Sequence, residues 1–189
     1  MLLPLDRTRP SGLRRYRLTV FADSVSEMVR AAGGWLCDQA RTGWDVRVVL
    51  ARPQDVRALT ILGASAVEAD QPLADIVRSA GAAGALAVSG RLLVSDEAVR
   101  SGVEEVLRRG RTAVMVWGSG AWDPRTAGSG TPTGVDPDAD AVEHRLSAAA
   151  RAFKSCALVA AGSGGPGPVD GVETLLTIGP GALRPVRPV

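Results

Sequence analysis

A chain of 189 residues is long enough for one domain with a buried core and short for two. Its hydrophobic fraction of 46% and charged fraction of 22% suit a folded domain and exclude pervasive disorder. A net charge of +2 leaves no nucleic-acid footprint on the chain as a whole, and two cysteines, Cys37 and Cys156, are too few for a disulfide framework.

The chain opens with "MLLPLDRTRPSGLRRYR", whose apolar start is broken at once by Pro4 and Asp6, so it lacks the apolar region of a secretory signal. Residues 1–15 read as a basic arm whose arginines are solvated. With no charge-free apolar run long enough to span a bilayer, a cytoplasmic location and no membrane contact are expected. "YRLTVFA" (16–22) is a buried strand by its continuous apolar run. The next segment spaces Val25, Met28, Val29, Ala32, Leu36 and Ala40 as one face of a helix. Ser24, Val25, Ser26 and Glu27 spell a capping box at its start. "DVRVVLA" (45–51) is the second strand, followed by a short helix from Pro53 to Gly63, a weak third strand at 64–69 and a helix ending at Gly81. "GALAVSG" (84–90) is the fourth strand, "SDEAVRSGVEEVLRRG" (95–110) an amphipathic helix with Ser95 and Asp96 as its cap, and "TAVMVWG" (112–118) the fifth strand.

Five strands alternating with helices predict a three-layer αβα domain of flavodoxin-like, doubly wound type, its parallel sheet ordered 2-1-3-4-5. That domain is expected to span residues 16–155, including a long Gly/Pro-rich loop at 119–138 and a closing helix in "ADAVEHRLSAAARAFKS" with Val142, Leu146, Ala149 and Phe153 inward. Residues 156–189 read as a Gly/Pro-rich extension and tail, in which "CALVAA" either prolongs the helix or pairs as a strand with "ETLLTIG".

Parallel α/β sheets bind ligands at the carboxyl ends of their strands. The candidate ligand-binding residues are therefore Asp23 and Ser24 after the first strand, Asp70 after the third, Ser89 and Arg91 after the fourth, and Trp117, Gly118 and Ser119 after the fifth. Trp117 would stack on a planar ligand, with the neighbouring glycines cradling an anion; the competing reading makes it a core residue. No residue is assigned a catalytic role. His144, the single histidine, sits off the apolar stripe and is expected in solvent, and a lone His with separated cysteines has no metal-ligand spacing.

Asp23, Asp70 and Ser89 together resemble the response-regulator receiver domain, with acids after strands one and three and a hydroxyl after strand four. In that family the acids hold magnesium and the central aspartate accepts phosphate. Here the lysine after strand five is replaced by Trp117 and Gly118, so the resemblance implies a degenerate, non-phosphorylated relative. No GxGxxG or GxxxxGK[ST] meets a helix start, and no cofactor is identified. The expectation from these absences is a non-catalytic regulatory or scaffold domain acting through a protein partner. The alternative is a binding protein or enzyme for a nucleotide, flavin or sugar phosphate at the carboxyl rim of the sheet.

Overall fold

The structure, a computed structural model, describes residues 16–110, 112–118, 140–163 and 168–178. Four βα units and a fifth strand run as β1 (Arg17–Ala22), α1 (Val25–Arg41), β2 (Asp45–Leu50), α2 (Arg57–Ile61), β3 (Ser65–Val67), α3 (Leu73–Ala83), β4 (Ala85–Ser89), α4 (Gly90–Ser95), α5 (Glu97–Arg108) and β5 (Val114–Trp117). They are followed by β6 (Asp140–Arg145), α6 (Ala148–Ala160) and β7 (Val172–Ile178). The seven strands form one mixed sheet in the order β3-β2-β1-β4-β5-β7-β6. β1 to β5 are parallel, and β7 runs antiparallel to both β5 and β6.

β1 and β4 are central because both their faces are apolar. Leu18, Val20 and Ala22 pack with Met28, Leu36 and Ala157 in one layer, while Phe21 and Val88 pack with Val77, Val103 and Val106 in the other. α1, α2 and α6 thus cover one face, and α3, α4 and α5 the opposite one. No helix among the described residues is long and apolar enough to cross a membrane.

The expected strand order is corrected. β2 lies beside β1 as expected, but β4 and not β3 is the neighbour on the other side, so the parallel part reads 3-2-1-4-5 and the five-stranded flavodoxin-like order does not occur. The physical reason lies in burial: Ser65, Ala66 and Val67 are all exposed, as befits an edge strand, whereas all five residues of β4 are buried and need neighbours on both sides. The receiver-like reading falls with the order, because Asp70 then follows an edge strand with β2 between it and Asp23.

Residues 139–155 do not form one helix. Asp140–Arg145 is a strand, Ser147 caps a new helix by accepting from the Ala150 N–H at 3.0 Å, and "CALVAA" prolongs that helix to Ala160. The expected C-terminal extension is likewise no appendage where it is described, since β7 is inserted between β5 and β6. His144 is not in solvent: on β6 its Nε2 lies 3.0 Å from Asp38 Oδ2 of α1. The helix expected at 95–110 is preceded by a separate turn, α4, with Asp96 rather than Ser95 capping α5. The arm at 1–15, most of the loop at 119–138 and the tail from 179 lie outside the described residues.

Candidate functional site at the β1/β4 switch point

In the order 3-2-1-4-5 the direction of winding reverses between β1 and β4, and this is where an open α/β sheet leaves a crevice at its carboxyl edge. The turn after β1 brings Asp23 there, and β4 ends on Ser89. Ser89 Oγ donates to Asp23 Oδ1 at 2.9 Å, joining the two strand ends across the reversal. Ser89 is 2% exposed and also accepts from the Leu92 N–H at 3.4 Å, so the start of α4 holds its hydroxyl in place.

Arg91 follows on α4. Its Nη1 lies 3.1 Å from Glu27 Oε2 and 4.0 Å from Asp23 Oδ2. The two acids are largely covered, with side-chain exposures of 12% for Asp23 and 18% for Glu27, while Arg91 stands 62% exposed above them. Gly118, at φ +95°, ends β5 beside this group. A Cβ there would lie 3.3 Å from Glu27 Oε1, so a glycine lets the chain pass close to the carboxylate. Ser24 accepts from the Glu27 N–H at 3.3 Å, which is half of the expected capping box. The return bond is missing because the Glu27 carboxylate is turned to Arg91 instead.

Of the residues predicted from sequence, Asp23, Ser24, Ser89, Arg91 and Gly118 come together at this rim. Trp117 does not face it: 2% exposed, it belongs to the core layer containing Met28, Trp35 and Leu146, so it offers no stacking surface. Asp70 is exposed at the far edge of the sheet, with no ion pair among the described residues. Ser119 lies outside the described residues. Sequence reasoning missed Glu27 as a site residue and Gln54 altogether. Glu27 carried a signal, an acid one helical turn into α1, but that signal was absorbed by the capping box; Gln54 carried none.

Among the described residues no three His, Cys, Asp or Glu side chains gather to hold a metal ion. Asp23 and Glu27 are engaged by Ser89 and Arg91, so this donor set does not fit a metal centre. Of the two cysteines Cys37 is buried, and burial together with the nearby Asp38 charge pushes its thiol pKa up, while Cys156 is exposed.

No protein-family model matches the chain, and no curated protein matches it in sequence. Solved structures match in fold. A deacetylase of teicoplanin biosynthesis superposes with a TM-score of 0.60 at 15% identity, over 86% of this chain and 97% of that one. The A40926 pseudoaglycone deacetylase gives 0.55 at 13% identity, over 87% and 97%. The 4-carboxy-2-hydroxymuconate hydratase GalB of Pseudomonas putida KT2440 gives 0.50 at 13% identity, over 90% and 99%. These likenesses show a shared fold. They also correct the non-catalytic regulatory reading and its protein-binding role: that reading rested on absent motifs, whereas the two deacetylases and the hydratase, which share this architecture over nearly their whole length, are enzymes.

Proposed function

We propose that this protein is a small-molecule enzyme working at the carboxyl ends of β1 and β4, and that it hydrolyses an acyl-amino bond in a polar substrate. The observation that carries this reading is the Asp23–Ser89 hydrogen bond across the switch point, with Glu27 and Arg91 beside it. The deacetylases of the same fold support the choice of reaction.

The chemistry follows from the groups present. Asp23, oriented by Ser89, takes a proton from water as the oxygen attacks the acyl carbon. Arg91, held by Glu27, presents its remaining N–H donors to the oxygen on which charge develops. The C–N bond breaks, the acid is released, and Asp23 passes the proton to the departing amine. Ser24 and Gly118 border the substrate. Polar side chains dominate this rim and Trp117 is withdrawn from it, which favours a hydroxyl-rich substrate over a flavin or a nucleobase.

The test is incubation with a panel of N-acetylated amino sugars and N-acylated glycosides, with acetate or fatty acid release measured directly. Release that Asp23→Asn abolishes is the expected result. A ligand at about 100 times its Kd also raises stability by roughly 2.7 kcal/mol, seen as a shift in Tm. Neither release nor a shift with any member of the panel would overturn the proposal.

A further inference from the structure

We infer that Gln54 is the positioning residue of this rim, an inference that rests on the reading of Asp23 as the working carboxylate. Gln54 belongs to the loop between β2 and α2, yet apart from a long 3.5 Å bond from Nε2 to the Arg52 carbonyl its carboxamide is directed to the turn after β1. Nε2 donates to the Asp23 carbonyl oxygen at 2.8 Å, and Oε1 accepts from the Val25 N–H at 2.9 Å. The two bonds bracket Ser24 and fix the peptide groups on either side of it. The Val25 N–H is the first donor of α1, one of those a helix cannot satisfy from within. Ser24 is already committed to the Glu27 N–H, so the turn is held from outside by a neighbouring loop.

Fixing the Asp23 carbonyl fixes the direction in which its side chain leaves the backbone. That direction decides whether Oδ1 meets Ser89 and whether Oδ2 stays beside Arg91. Gln54 is itself exposed, so its bonds to this turn serve local geometry and add little to global stability. The loop after β2 is thereby coupled to the turn after β1, and both to β4.

Gln54→Ala removes both bonds. Gln54→Glu keeps the acceptor for Val25 and loses the donor to Asp23. Three quantities are read in each variant: Tm, hydrogen exchange of the Val25 amide, and the 13C chemical shift of the Asp23 carboxyl at neutral pH. In Gln54→Ala, Tm stays within about 2 °C of the parent, Val25 exchanges about tenfold faster or more, and the Asp23 resonance moves. Gln54→Glu moves the Asp23 resonance while sparing most of the Val25 protection. With a substrate in hand, kcat falls about tenfold while KM changes little, the pattern of lost orientation. An unmoved Asp23 resonance overturns the inference, and so does a large fall in Tm accompanied by faster exchange across the whole sheet. Absence of turnover in the parent protein counts against Asp23 as a catalytic base, while the two spectroscopic readings still decide what Gln54 positions.

Discussion

Lys154 on α6 and Glu173 on β7 form an ion pair of 2.6 Å inside the core, with 6% and 2% of their side chains exposed. Glu173 also accepts from the Gly34 and Trp35 N–H groups of α1, at 2.9 and 2.7 Å, and Lys154 donates to the Arg30 carbonyl at 2.6 Å. The pair therefore ties β7 and α6 to the middle of α1. Removing one partner leaves the other charge buried and unpaired, so Lys154→Met and Glu173→Gln each cost about 3–5 kcal/mol in urea unfolding. Replacing both, as Lys154→Met with Glu173→Leu, costs less than either, because no buried charge remains unpaired. Single variants within about 1 kcal/mol of the parent would contradict this account.

Asp38 predicts a pH dependence. Burial alone would raise its pKa, but hydrogen bonds from the Ser147 hydroxyl at 2.6 Å and N–H at 3.1 Å, together with His144, outweigh that and hold the carboxyl below its ordinary value. A carboxyl lowered in the folded state adds stability that is present above its unfolded pKa, near 3.9, and is lost as pH falls through the folded one. Asp38→Ala is expected to cost roughly 1.5–3 kcal/mol at neutral pH. The gap to the parent closes in the acid range below about pH 4. Denaturation curves at pH 7 and pH 3 with the same gap would refute the assignment.

Trp117→Ala is a core deletion. With the side chain buried in the α1 layer, the loss is about 3–5 kcal/mol from transfer and cavity together. Chemical denaturation reads it directly. A variant of near-parental stability that had lost ligand binding alone would restore the stacking role.

Arg91→Ala separates site from scaffold in the opposite way. Arg91 itself is largely exposed and its ion pairs contribute at most about 1 kcal/mol, so Tm hardly moves. Turnover falls by about 100-fold if Arg91 stabilises the developing oxyanion. Equal kcat/KM in variant and parent would remove it from the mechanism.

Gly34→Ala tests how closely α1 meets the β6–α6 junction. The added Cβ would lie 2.5 Å from two carbons of Leu146, so about 1–3 kcal/mol is lost in spite of the gain in helix propensity. Pairing it with Leu146→Ala relieves the clash, and a double variant no better than the sum of the two singles would argue against the contact.

Much of the first half of the chain was legible without coordinates. Runs such as "RLTVF" and "ALAVS" carry apolar residues on both faces, Leu18 and Val20 against Phe21, and Ala85 and Ala87 against Leu86 and Val88, as a strand buried on both sides requires, and the stripe from Val25 to Leu36 has the helical period. Those patterns are local, and each element could be placed from its own residues. The rim was legible to the same degree, since the carboxyl ends of parallel strands share one edge: Asp23, Ser24, Ser89, Arg91 and Gly118 followed from that alone.

Tertiary structure decided what depends on distant partners. Strand order is a choice among crossovers that local period does not encode, and it alone made β1 and β4 neighbours and joined Ser89 to Asp23. β6 is written in helix-favouring residues, Asp140 to Arg145, and becomes a strand because β7 supplies its ladder and Asp38 a partner for His144. The single lysine of the chain has its ammonium held in the core by Glu173, 19 residues away, and by the backbone of α1, more than 100 residues away. A hydrogen bond between residues far apart in the chain leaves no period behind it, so the charges and carboxamides that organise this molecule could be read only once it was folded.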